Sequence, residues 1–146
     1  GQVVVAGEKM IIETSLEVFK EAGAKRAIIL PVSVPSHCIL MKEAAIEFKE
    51  FLSTINFAKP IFPVVQNFEA ISYEDEEKIK EGLFHQLFNP VRWTESMEFM
   101  SEKKLDTFLE IGPGKVLTSL SKRINRDSKN ISIDSMESIE NFKEIS

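Results

Sequence analysis

Thr107-Phe108-Leu109-Glu110-Ile111, followed at once by Gly112-Pro113-Gly114-Lys115-Val116-Leu117, sets a β-branched and aromatic run directly against a glycine turn. The run has the composition of a buried strand. The glycines permit the backbone angles of a sharp strand-to-helix turn. From Lys115 to Arg126 the apolar residues Val116, Leu117, Leu120 and Ile124 return at helical spacing. Ile131 to Ile133 reads as a last strand, and the acidic segment Glu137 to Ile145 as a short terminal helix. Towards the N-terminus, Pro90 is expected to open a helix carrying Val91, Trp93, Met97 and Met100. The acidic run Glu74 to Glu77 favours the start of a helix reaching about Leu87, and Ile61 to Gln66 reads as a short strand. Ile39, Leu40, Ala44, Phe48, Phe51, Leu52 and Ile55 share one helical face. Ala27 to Val34 reads as a buried strand interrupted at Pro31, Glu8 to Ala22 as a helix stopped by Gly23, and Gln2 to Ala6 as an opening strand. Alternating strands and helices predict an α/β architecture in which part of the sheet is parallel.

The 146 residues, 43% hydrophobic and 28% charged, fit one ordinary folded domain and argue against disorder, collagen and coiled coil. Such a chain buries roughly two thirds of its unfolded surface and needs no disulfide or metal to hold a core. Cys38 is the single cysteine, so no disulfide framework exists, and the cytosol is the default compartment. A net charge of -5 without basic clustering argues against nucleic-acid binding. No apolar run reaches membrane-spanning length, and the stretch Gly1 to Gly7 lacks the charged start and long apolar core of a signal peptide. A chain opening abruptly on a core strand is expected to be part of a longer protein.

His37 stands between a strand end and a helix start, where α/β proteins place their sites, and is a candidate general base. The competing reading is a packed or capping imidazole. Cys38 and Ser36 adjoin it, but neighbouring side chains point apart, so neither reads as a nucleophile paired with His37. His85, among aromatic residues in a predicted helix, reads as structural. Gly112-Pro113-Gly114-Lys115 lacks the spacing of a phosphate loop or a dinucleotide fingerprint and reads as a tight turn, although the helix behind it could attract an anion. No cluster with metal-ligand spacing is present. No Gly-x-Ser-x-Gly occurs, so the chain offers a base without the strained elbow that exposes a nucleophilic serine.

Leu30-Pro31-Val32-Ser33-Val34-Pro35-Ser36-His37-Cys38 with Leu40-Met41-Lys42 closely resembles the histidine-bearing segment of the stand-alone malonyl-CoA:acyl carrier protein transacylases. Gln86-Leu87-Phe88-Asn89-Pro90-Val91-Arg92-Trp93-Thr94 and Glu110-Ile111-Gly112-Pro113-Gly114-Lys115-Val116-Leu117 resemble two further blocks of that family, in the same order. With an opening similar to Gly-Gln-Val-Val-x-x-Gly, the resemblance extends over roughly residues 1 to 125.

The resemblance implies ping-pong malonyl transfer from coenzyme A, through an elbow serine, to the phosphopantetheine thiol of acyl carrier protein in type II fatty acid synthesis, with no cofactor of the enzyme's own. It makes His37 the general base and the main-chain carbonyl of Gln86 the partner of its other ring nitrogen. It places Ser36 beside the acyl pocket, and Lys25, Arg26 and Lys122 near the entrance used by the acidic carrier protein. It also implies a C-terminal half: residues 1–33 as part of a ferredoxin-like small subdomain, and residues 34–146 as the C-terminal portion of a larger α/β-hydrolase-like acyltransferase domain. The serine, oxyanion hole and carboxylate-binding arginine would then lie in a missing N-terminal half, leaving this chain inactive alone. Two alternatives stay open: a discrete polyketide acyltransferase using another acyl-CoA, and a non-catalytic module that binds carrier protein.

Overall fold

A computed structural model describes residues 2–145; Gly1, which opens the Gly-Gln-Val-Val stretch, and Ser146 lie outside them. By packing the chain falls into two compact units, one running to Val91 and the other beginning at Arg92.

The first unit contains helix α1 (Lys9–Glu21), a 3₁₀ turn at Ile39–Met41, helix α2 (Lys42–Ser53), strands β1 (Val64–Gln66) and β2 (Ile71–Tyr73), and helix α3 (Glu76–Gln86). Helix α1 stops where expected. Gly23 takes φ 97°, its N–H donates to the Lys20 carbonyl, and the Ala24 N–H reaches back to Phe19, which satisfies carbonyls the last turn leaves over. The face expected to be buried on α2 is rotated: Ala45, not Ala44, is inside, with Leu52, while Phe51 is exposed. Ile39–Met41 winds at about three residues per turn, which shifts the phase of the helix that follows.

Strand β1 begins later than expected, at Val64, and pairs antiparallel with β2 in the register Val65↔Ser72. The hairpin had no sequence signature, because its turn carries no glycine and places Ala70 at φ 60° instead. Helix α3 starts under Asp75, whose carboxylate accepts from the Lys78 N–H at 2.9 Å, with Glu76 and Glu77 against the positive end of the helix dipole. Gln66 is buried, and its Nε2 donates to the Ile79 carbonyl at 3.0 Å. Its side chain occupies the space a β-carbon would take at Gly82, so β1 and α3 approach closely only because Gly82 has none.

Two expected strands do not form. Gln2 to Ala6 and Ala27 to Val34 make no ladder among the described residues, and Val3 is 84% and Ile29 51% exposed. Their composition is that of strands, but a strand exists only through a neighbour that takes its backbone hydrogen bonds.

The second unit contains helix α4 (Trp93–Glu102), strand β3 (Thr107–Ile111), helix α5 (Val116–Ile124), strand β4 (Lys129–Ile133) and helix α6 (Met136–Ile145). Helix α4 starts three residues after Pro90, with the Arg92 carbonyl accepting from Ser96. Strands β3 and β4 are parallel, Thr107 opposite Lys129 and Ile111 opposite Ile133, with α5 as the crossover. The strand–turn–helix–strand reading therefore holds, and the chain is α/β. Met97 and Ser96 are the fully buried residues here, and Ser121 on α5 donates its hydroxyl to the Met97 sulfur. Among the described residues no helix is long and apolar enough to cross a membrane.

Candidate active site

His37 lies in the turn between the extended segment 27–34 and the 3₁₀ turn that leads into α2. Its backbone sits in the left-handed region at φ 63°, which costs a non-glycine residue about 1–2 kcal/mol and persists only where the surroundings impose it. Two carbonyls from the end of α3 do so. The His37 N–H donates to the Leu87 carbonyl at 3.0 Å, and its ring Nδ1 lies 2.8 Å from the Gln86 carbonyl.

A carbonyl only accepts, so Nδ1 carries a proton, and in the neutral form of the imidazole the lone pair is on Nε2. The Gln86 side-chain nitrogen is also 3.5 Å from Nδ1. Its two hydrogens are directed to the carbonyls of Asn89 (3.2 Å) and Pro90 (3.3 Å), and the shorter contact to the Gln86 main chain sets the tautomer. An imidazole with one nitrogen tied to a fixed acceptor and the other free is the arrangement a directed base requires.

The neighbours of His37 do not join it. Cys38 donates its thiol to the Pro35 carbonyl at 3.1 Å, so it is engaged with its own turn. Ser36 is exposed, and its N–H closes a tight turn onto the Val34 carbonyl. His85 stacks on Phe68 with ring centroids 5.0 Å apart and meets Phe84 and Phe88 on its other sides, a packing role. Lys25, Arg26 and Lys122 are exposed, and none makes an ion pair among the described residues. No group of three potential metal-ligating side chains occurs among the described residues.

The Gly-Pro-Gly turn has a specific structural use. Gly112 and Gly114 take φ 137° and 96°, and the reversal brings the start of α5 back over the end of β3. The Glu110 carboxylate there accepts from the Leu117 N–H at 3.0 Å and the Thr118 N–H at 2.7 Å. The anion that this helix start attracts is thus the chain's own glutamate, not a phosphate. The backbone bond from Thr118 holds the Glu110 carboxyl below its ordinary pKa, against the opposing effect of burial, with further help from the Thr118 side chain and the amides of Leu117 and Val116. Its stabilising effect is complete above the unfolded-state pKa of about 4.3 and is lost as pH falls through the lower folded-state value. Glu110→Gln is therefore expected to lower the unfolding midpoint at neutral pH and to flatten its decline below about pH 4. Thermal unfolding across pH 3–7, measured on this chain joined to the rest of the protein, checks this; parallel curves for parent and variant would contradict it. Sequence reasoning missed this cap, because the carboxylate and the amides it caps are seven and eight residues apart with a turn between them.

No family model matches this chain. It is 50% identical over 124 residues to the malonyl CoA-acyl carrier protein transacylase of Salmonella typhimurium, covering 85% of this chain and 40% of that protein. The enzyme of that name from Haemophilus influenzae is 43% identical over 144 residues, covering 99% of this chain and 46% of its own length. Among solved structures, a malonyl-transacylase in complex with its type II PKS acyl-carrier protein superposes with a TM-score of 0.92 at 45% identity, covering 96% of this chain and 45% of that one. An acyl carrier protein S-malonyltransferase from Vibrio cholerae gives a TM-score of 0.89 at 45% identity, covering 93% and 44%. The chain thus spans a little under half the length of the relatives it matches. Over that span it is similar, in sequence and in fold, to the malonyl CoA-acyl carrier protein transacylases.

Proposed function

We propose that this chain supplies the general-base part of a malonyl-CoA:acyl carrier protein transacylase of type II fatty acid synthesis, and that the serine nucleophile lies in polypeptide beyond these 146 residues. The observation that carries the reading is the Nδ1–H donated to the Gln86 carbonyl at 2.8 Å, which leaves Nε2 of His37 as the proton acceptor. The absence of a Gly-x-Ser-x-Gly elbow from the sequence supports the second part. In this reading residues 1–33 belong to a ferredoxin-like small subdomain and residues 34–146 to the C-terminal portion of the larger domain.

In the first half-reaction Nε2 takes the serine proton as the serine oxygen bonds to the malonyl carbonyl carbon. The carbon–sulfur bond then breaks, and coenzyme A leaves as the thiol with that proton. In the second, Nε2 takes the proton of the phosphopantetheine thiol, sulfur replaces oxygen on the carbonyl carbon, and the serine recovers its hydrogen. No cofactor of the enzyme's own enters; the reactive thiol arrives on the carrier protein. Ser36, adjoining the base, faces the acyl pocket. Lys25, Arg26 and Lys122 attract the acidic carrier protein, an effect that acts on encounter and weakens with salt.

Acyl exchange between a panel of acyl-CoAs and carrier protein, in the enzyme completed by the serine-bearing segment, tests this. Malonyl-CoA is expected to be the preferred donor. Glutamate in place of Lys25, Arg26 and Lys122 is expected to raise KM for carrier protein by roughly tenfold at low salt with kcat retained. Preference for methylmalonyl-CoA would move the assignment to a polyketide acyltransferase. Binding that survives loss of His37 but vanishes in the charge variants, with no exchange activity in the parent, would leave only a carrier-binding module.

A further inference from the structure

The two carbonyls that hold His37 are consecutive, Gln86 and Leu87, at the point where α3 ends. A helix end is ordinarily the least constrained part of a helix, since its last carbonyls lack intrahelical partners and the turn frays. Here that end is closed by side chains reaching across it in both directions. Asn89 Nδ2 donates to the His85 carbonyl at 2.8 Å, and Gln86 Nε2 donates to the carbonyls of Asn89 and Pro90. Both side chains are half-buried, and Pro90 has no N–H with which to extend the helix.

We propose that the Gln86 and Asn89 side chains form a reciprocal latch that aims the Gln86 and Leu87 carbonyls at His37, making both positioning residues for the base. This rests on His37 acting as the base. The partner of Nδ1 is then a main-chain oxygen whose direction depends on the two amide side chains beside it. The Gln86 amide nitrogen lies nearer the Asn89 and Pro90 carbonyls (3.2 and 3.3 Å) than Nδ1 (3.5 Å), so the latch draws its donors away from the ring.

The test uses the full-length enzyme that contains these residues, with the variants Asn89→Ala and Gln86→Met. The second keeps the length of the side chain but removes its donors without placing a charge beside Nδ1. Each is expected to lower kcat by roughly 10- to 100-fold with KM for malonyl-CoA little changed, as misplacement of a base does. The double variant is expected to be no worse than the weaker single, because both break one latch. Nitrogen chemical shifts of the His37 ring, read in folded protein, are expected to show the Nδ1–H form in the parent and a mixture of tautomers in the variants. Parent-like kcat, or a reduced kcat with the Nδ1–H form fully retained, would overturn the latch. A His37→Gly enzyme with parent activity would instead overturn the assignment of the base, so the two failures are distinguishable.

Discussion

Replacing His37 by glycine in the completed enzyme is expected to lower kcat by roughly 10²- to 10⁴-fold, the range that a positioned general base contributes. Glycine is the informative substitution because His37 stands at φ 63°, where glycine rests without the steric cost a side chain meets. Relief of that strain offsets the loss of the ring hydrogen bond to Gln86, and an unfolding midpoint close to the parent's separates lost rate from lost fold. The loss should fall in both half-reactions, since the same Nε2 serves the serine and the incoming thiol. Stopped-flow measurement of coenzyme A release and of malonyl transfer to carrier protein separates the two. A variant slowed in only one half-reaction, or in neither, contradicts the role given to the ring.

The second large effect concerns stability. Among the described residues only Ala45, Leu52, Ala70, Ile79 and Met97 are buried apolar side chains, while Val3, Ile28, Ile29, Val32, Ile61, Phe62 and Ile111 stand more than half exposed. Parallel strands such as β3 and β4 are normally covered on both faces, yet Ile111 is 80% exposed. Covering one such side chain is worth roughly 1.5–3 kcal/mol, and exposed apolar surface drives association. Alone, the chain is expected to self-associate at micromolar concentration and to unfold with little cooperativity. Joined to the rest of the enzyme, it is expected to unfold cooperatively with a midpoint more than about 10 °C higher. Light scattering and calorimetry on both forms check this; a monodisperse, cooperatively unfolding chain alone would contradict it.

How much of this was legible in the sequence depends on the range of the interaction concerned. Strand Thr107–Ile111 and the helix behind its glycine turn were readable because composition, turn chemistry and periodicity all act within a dozen residues. The hairpin of β1 and β2 was not, since Ala70 supplies the left-handed residue that a glycine would have announced. Gln2–Ala6 and Ala27–Val34 have strand composition without a ladder, because composition reports surface to be covered and not who covers it. The contact between His37 and Gln86 spans 49 residues and follows from no spacing rule; it was anticipated only through the resemblance of the two segments to one family. The use of Asn89 and of the Gln86 side chain left no sequence signal that local rules could separate from an ordinary helix end.

In the proposed half-site this chain holds the base, and the nucleophile lies outside these 146 residues. Intact-mass spectrometry after incubation with malonyl-CoA tests it most directly. No adduct is expected on this chain alone, and in the completed enzyme a single malonyl group is expected on a serine outside these 146 residues. A stable malonyl adduct on Cys38, or on any other residue of this chain, would contradict the account.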